Sequence, residues 1–142
     1  MIDLNTRFFF QKKTTLPDRN KLKLFIKTIL KKENTITKEL NIIFCSDEYL
    51  LNINREYLHH DYLTDIITFE IENNKNGKVA EIYISVDSIK KNAADYQTTM
   101  KNELHRVIFH GVLHLCGYKD KKKKDIILMR ANEDKYLRLY FK

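Results

Sequence analysis

The chain contains little that breaks or bends a backbone. Its 142 residues include three glycines and one proline. That scarcity argues against long flexible linkers and low-complexity arms. Tryptophan is absent, and cysteine occurs only at Cys45 and Cys116. Two cysteines make no disulfide framework, and they read as reduced thiols of a cytoplasmic protein. A secretory leader is not expected, because Met1 to Phe10 carries an early Asp3 and only the short apolar run Phe8 to Phe10. No stretch approaches the roughly 18 apolar residues of a membrane span.

What is present is ordinary in bulk. Hydrophobic residues make up 43% and charged residues 32%, the balance of a globular protein able to bury a core. A single domain over residues 1–142 is expected. The net charge of +7 favours a polyanionic partner.

The periodicities predict an α/β (α+β) domain with about four strands in a mixed sheet. Ile2 to Phe10 alternates as a strand. Leu22, Phe25, Ile26, Ile29 and Leu30 make the apolar stripe of a helix. Glu39 to Cys45 is a second strand, and Ser46 caps a helix running to about Leu58. Thr64 to Ile71 and Val79 to Val86 are β-branched strands. The polar stretch Glu72 to Lys78 between them is a hairpin-type loop, so this pair is antiparallel. Asp87 or Ser88 caps a helix to about Tyr96. A helix over Thr99 to Leu115 and a last one over Lys121 to Tyr140 follow.

The chemistry concentrates in His110-Gly-Val-Leu-His114-Leu-Cys-Gly117-Tyr-Lys-Asp120. Two histidines four residues apart share one helix face. Gly117 can end that helix in a left-handed turn. The turn can bring Asp120 to the point at which both imidazoles aim. Three converging ligands with an open position describe a catalytic zinc centre, one ion per chain. The spacing is that of zincin-like metal-binding helices, with two changes. Gly111 stands where a protease carries its general base, and Asp120 stands where a third histidine would be.

Other readings compete at several positions. Asp120 also suits the N-cap of the last helix. Cys116 is a rival ligand that more naturally turns into the core. His105 lies on another helix face and reads as structural or exposed. His59 and His60 are loop residues that can face the site. With Gly111 silent, a base must come from Asp61, Asp65 or Glu81, each of which has an ordinary turn or strand-edge role. Lys119 and Lys121 to Lys124 oppose the dipole of the helix they open, which suits an anionic ligand such as phosphate.

These residues resemble the YbeY family of bacterial metal-dependent single-strand endoribonucleases. His110-Gly111-x-Leu113-His114-Leu115-x-Gly117-Tyr118 matches that family's C-terminal signature, after which Lys119-Asp120 replaces Asp-His. Thr64 to Phe69 (TDIITF) resembles its T-D-V-L-S-F block, and Ala80 to Ser85 (AEIYIS) its G-D-I-x-I-S strand. Leu51-Asn52 also fits. The resemblance implies a metal in a positively charged cleft, single-stranded RNA as substrate, and work on ribosomal RNA and ribosomal subunits. That work is maturation of the small-subunit rRNA 3′ end and ribosome quality control. It also implies a phosphate-binding arginine shortly before the T-D block. Arg55 is the arginine nearby, about three residues upstream of the ungapped position. Arg55 and Asp65 are taken as catalytic candidates; Tyr57, Tyr62 and Tyr118 are possible stacking surfaces. Two other functions fit the motif: a metalloprotease-like hydrolase, and a non-catalytic ribosome-assembly factor with a structural metal.

Overall fold

The computed structural model describes residues 4–142. Ile2, placed above in the first strand, lies outside the described residues. The elements run β1 (Asn5–Phe10), α1 (Arg19–Lys32), β2 (Thr37–Cys45), α2 (Asp47–Leu58), β3 (Ile66–Asn74), β4 (Gly77–Ser85), α3 (Val86–Asp95), α4 (Met100–Leu115) and α5 (Lys123–Tyr140). Four strands form one sheet in the order β1-β2-β4-β3. β1, β2 and β4 are parallel, and β3 is antiparallel to β4. The expected mixed sheet is therefore present, with the antiparallel pair at one edge.

Several boundaries differ from the sequence expectation, three of them for a local reason. The expected loop over 72–78 closes to a turn at Lys75 and Asn76, because Asn73 pairs with Lys78 and Asn74 with Gly77. Gly77 permits the tight return at φ +118, and Lys78 pairs with Glu70 across the ladder at 2.9 Å. Helix α3 is capped by Ser85, whose hydroxyl accepts from the Ser88 amide, rather than by Asp87 or Ser88. The Asp87 carboxylate is used elsewhere, accepting from the Asp47 amide at 2.9 Å and from Lys12. Helix α5 begins at Lys123 behind Lys122, which offers no side-chain cap.

Helix α4 is the spine of the molecule. It packs against α1, α3, α5 and strands β3 and β4. Leu104, Val107, Ile108, Phe109, Val112, Leu113 and Leu115 are all buried in the main core with Ile42, Ile82 and Ile84 of the sheet. Helix α2 lies over Cys45 and Ile67 through Leu50 and Ile53, in a second, smaller cluster. His105 is structural rather than exposed. It is fully buried, stacked on Tyr140 with ring centroids 5.2 Å apart, and bonded through Nδ1 to the Lys101 carbonyl. Burial pulls its pKa below the usual value, against the raising effect of that carbonyl.

At Gly111, α4 packs tightly against side chains of the sheet. A Cβ built there would lie 2.9 Å from Ile66 Cδ1, 3.0 Å from Ile82 Cδ1 and 3.1 Å from Ile82 Cγ2. The position faces packed isoleucines, so a base-bearing side chain has no room. Alanine would gain roughly 1 kcal/mol of helix propensity over glycine, whereas overpacking a filled core costs about 1–3 kcal/mol. The two terms leave Gly111→Ala about 0–2 kcal/mol less stable than wild type in urea unfolding, and Gly111→Glu is expected to yield no folded protein. A Gly111→Ala protein more stable than wild type would contradict this packing.

Candidate metal centre

His110 and His114 project from the last two turns of α4, one turn apart, as the spacing predicts. The helix then ends in a Schellman motif. The Tyr118 amide donates to the Leu113 carbonyl at 3.1 Å and the Gly117 amide to the His114 carbonyl at 3.0 Å. Gly117 sits at φ +97, which a residue with a Cβ adopts only with strain. Tyr118 fixes the turn from the far side. Its hydroxyl donates to Glu33 at 2.6 Å, and Tyr136 donates to the other oxygen of the same carboxylate at 2.9 Å. The Glu33 bond first, and burial after it, push the Tyr118 pKa up to about 12. Tyr118 is thus a fastening of the turn, and its hydroxyl is already committed.

Beyond the turn, Asp120 Oδ2 lies 3.2 Å from His110 Nε2 and 3.2 Å from His114 Nε2. The two imidazole nitrogens are 3.1 Å apart. The donors form a nearly equilateral triangle. A tetrahedral zinc with bonds of about 2.0–2.2 Å spaces its donors about 3.3–3.6 Å apart, so the triangle fits such an ion within a few tenths of an ångström. His110, His114 and Asp120 are also the one group of potential metal ligands among the described residues. Asp120 does not cap α5: the cap position belongs to Lys122. Cys116 is half-buried and packs on the core. Burial is the main cause raising its thiol pKa.

The residue that completes this centre was not foreseen. Glu133 of α5 is 4% exposed and its Oε2 lies 2.7 Å from His110 Nδ1. A carboxylate there holds the Nδ1 proton and leaves the Nε2 lone pair for a cation. Arg106, one turn before His110, donates to Glu133 Oε1 at 3.1 Å and to Asp134 at 2.8 Å. Burial lowers the affinity of His110 for a proton, but the Glu133 bond and nearby carboxylates offset this, and its pKa is raised. One sequence signal existed. Met129, Tyr136, Leu137 and Tyr140 make the buried stripe of α5, and Glu133 stands within it. A carboxylate on an apolar face is the anomaly that calls for a partner.

Asp65 stands beside the centre. It lines a cavity of about 130 Å³ together with Asn92, Glu103, Arg106, His110, Asp120, Arg130 and Glu133. Burial raises its pKa, against the lowering effect of His110, and Asn92 Nδ2 donates to its Oδ2 at 3.3 Å. Arg55 is not in this group. It is an exposed residue near the end of α2, paired with Asp61 and outside the lining of this cavity. Glu81 is engaged by the Tyr83 hydroxyl at 3.0 Å. The cleft expected to be basic is, at its inner end, acidic: Asp65, Glu103, Asp120 and Glu133 face Arg106 and Arg130. Such a balance attracts a cation. The lysines expected to face an anion, Lys119 and Lys121 to Lys124, are all exposed, and Lys121 lines a groove beside His114.

A mixed sheet with two histidines and a carboxylate converging at a helix end has the donor set that suits a hydrolase with a bound cation. Comparison with known proteins gives the particular family. The family model described as "Endoribonuclease YbeY" matches residues 8–140. A protein of Cytophaga hutchinsonii named Endoribonuclease YbeY is 51% identical over 136 residues, covering 94% of this chain and 95% of its own. One of Flavobacterium psychrophilum with the same name is 45% identical, covering 82% of each. The solution structure of a Thermotoga maritima protein superposes with a TM-score of 0.65 at 27% identity, over 96% of this chain and 89% of that one. The chain belongs to the YbeY family.

Two outcomes test the centre itself. Glu133→Gln is expected to weaken zinc binding about 10- to 100-fold, measured by competition with a chelating dye. Affinity equal to wild type would remove Glu133 from the centre. The second is pH. The pKa of His110 is raised above 6.5, so its protonated form stabilises the metal-free fold fully below about pH 6.5, and that contribution is lost as pH rises through the folded value. A metal needs the neutral ring. Zinc affinity should therefore rise with pH across that window, with proton release seen on binding. A flat profile would contradict it.

Proposed function

We propose that this protein is a zinc-dependent endoribonuclease that cuts single-stranded RNA, acting in the cytoplasm on ribosomal RNA at the 3′ end of the small subunit and in ribosome quality control. The observation that carries the reading is the donor triangle of His110, His114 and Asp120 in a chain whose relatives are named endoribonucleases. A divalent cation held by those three side chains would polarise a phosphoryl oxygen and lower the pKa of a water.

The chain's own residues supply the rest. Glu133 orients His110, and Arg106 holds Glu133. Asp65, with its pKa raised by burial, is suited to take a proton from an attacking water. Asn92 holds one of its oxygens. Arg55 acts in this reading as a phosphate contact outside the cavity, exchanging its Asp61 partner for the substrate. Exposed lysines near the turn add sequence-independent attraction to the strand.

The two competing functions are less well supported. A protease of the zincin kind needs a glutamate at position 111, where the sheet leaves no space. A structural zinc has four protein donors, whereas three converge here among the described residues. No helix among those residues is long and apolar enough to cross a membrane.

The test is cleavage of a single-stranded RNA bearing the small-subunit 3′ sequence. Zinc-loaded wild type should cut it, His114→Ala should not, and Asp65→Asn should be slower by about 10²–10⁴-fold. Undiminished cutting by His114→Ala, or by chelated wild type, would overturn the reading.

A further inference from the structure

A groove of about 550 Å³ runs from His114 to the connection between α2 and β3. We propose that it receives one unpaired nucleobase, stacked on the Tyr62 ring, while the adjoining phosphate lies at the metal centre. This rests on the RNA reading above and adds to it how an unpaired strand is recognised.

The charge of the groove favours a base over a phosphate. Lys121 and Glu70 are the charged residues lining it, and Glu70 is paired with Lys78 at 2.9 Å. A phosphate needs cations. A base is neutral and flat, and needs apolar walls with a π surface. Leu58, Ile66 and Ile67 supply such walls, and the volume lies within the range of about 300–1,000 Å³ typical of small-ligand sites.

Tyr62 supplies the π surface. It is 57% exposed, although a ring of that size ordinarily gains by burial. The loop presents it in a fixed pose. Its ring stacks with His60 at 5.2 Å and 19°, and its hydroxyl is 3.0 Å from His60 Nδ1. Its carbonyl accepts from Asn54 Nδ2 at 2.9 Å, and Asn54 is 2% exposed. A preorganised ring loses little entropy on binding. The other two tyrosines named above are differently engaged: Tyr57 meets Phe69 edge-on, and Tyr118 is fastened to Glu33. A paired base would have to leave its own stack before entering, so this subsite selects single strands.

The experiment uses chelated, metal-free protein, which cannot cut, and a fluorescent single-stranded RNA of about ten nucleotides. Anisotropy should show Tyr62→Ala binding roughly 5- to 150-fold more weakly and Tyr62→Phe within about threefold of wild type, since stacking needs the ring and not the hydroxyl. A series of oligonucleotides with single abasic sites should show one register where wild type loses the same factor. Equal affinity for Tyr62→Ala, or no sensitive register in wild type, would overturn the proposal. If Tyr62→Ala does not fold, the abasic series on wild type decides alone. The nuclease reading fails separately. If zinc-loaded wild type leaves the RNA intact while Tyr62-dependent binding persists, the function is wrong and the subsite stands. Cleavage with no Tyr62 or abasic effect gives the reverse.

Discussion

The close seating of α4 on the sheet at Gly111 is the constraint on which the rest depends. With no Cβ at that point, the helix backbone settles against Ile66 and Ile82. His110 and His114, on a neighbouring face, are then turned away from the core. The same contact brings the N-terminal end of β3, and so Asp65, to the side of the helix that carries the histidines. A larger residue would lift the helix and separate two groups of side chains that the chemistry needs together.

Around that seat, polar groups are committed in pairs, and each pair ties two elements at the centre. Glu33 of the α1 C-cap receives Tyr118 from the turn and Tyr136 from α5. Glu133 receives His110 and Arg106 from α4. A buried carboxylate such as Glu133 would cost several kcal/mol without partners; here the partners of both carboxylates are the residues that need orienting. The stabilisation of the fold and the placement of the ligands are therefore the same interactions. The inner cavity carries more carboxylates than arginines, which suits a chain in which Asp120 already takes the place of a neutral third imidazole.

Much of this was legible in the sequence because its physics is local. The i, i+4 histidines, the glycine turn and the returning carboxylate are set by helix geometry and a left-handed residue within eleven positions. The β-branched runs at 66–71 and 79–85 announce strands, and their short separation announces the antiparallel pair. What was not legible depends on distant chain. Glu133 reaches His110 across 23 positions of sequence, and only its place in an apolar stripe hinted at a partner. Gly111 looked like a missing base, but its role is a contact with two strands that no local pattern encodes. The resemblance implies a positively charged cleft, but neither it nor the net charge says which sign faces the inner cavity of this chain. Arg55 stands for the arginine that the resemblance implies before the T-D block, and its side chain occupies a different neighbourhood from Asp65.

X-ray absorption spectroscopy of the zinc-loaded protein tests most directly whether α4 and the Gly117 turn build a three-donor metal centre with an open position. One zinc per chain is expected, held by two imidazole nitrogens and one carboxylate oxygen, with the remaining coordination supplied from outside the protein. A sulfur ligand, four protein donors, or unchanged zinc ligation in His114→Ala would contradict it.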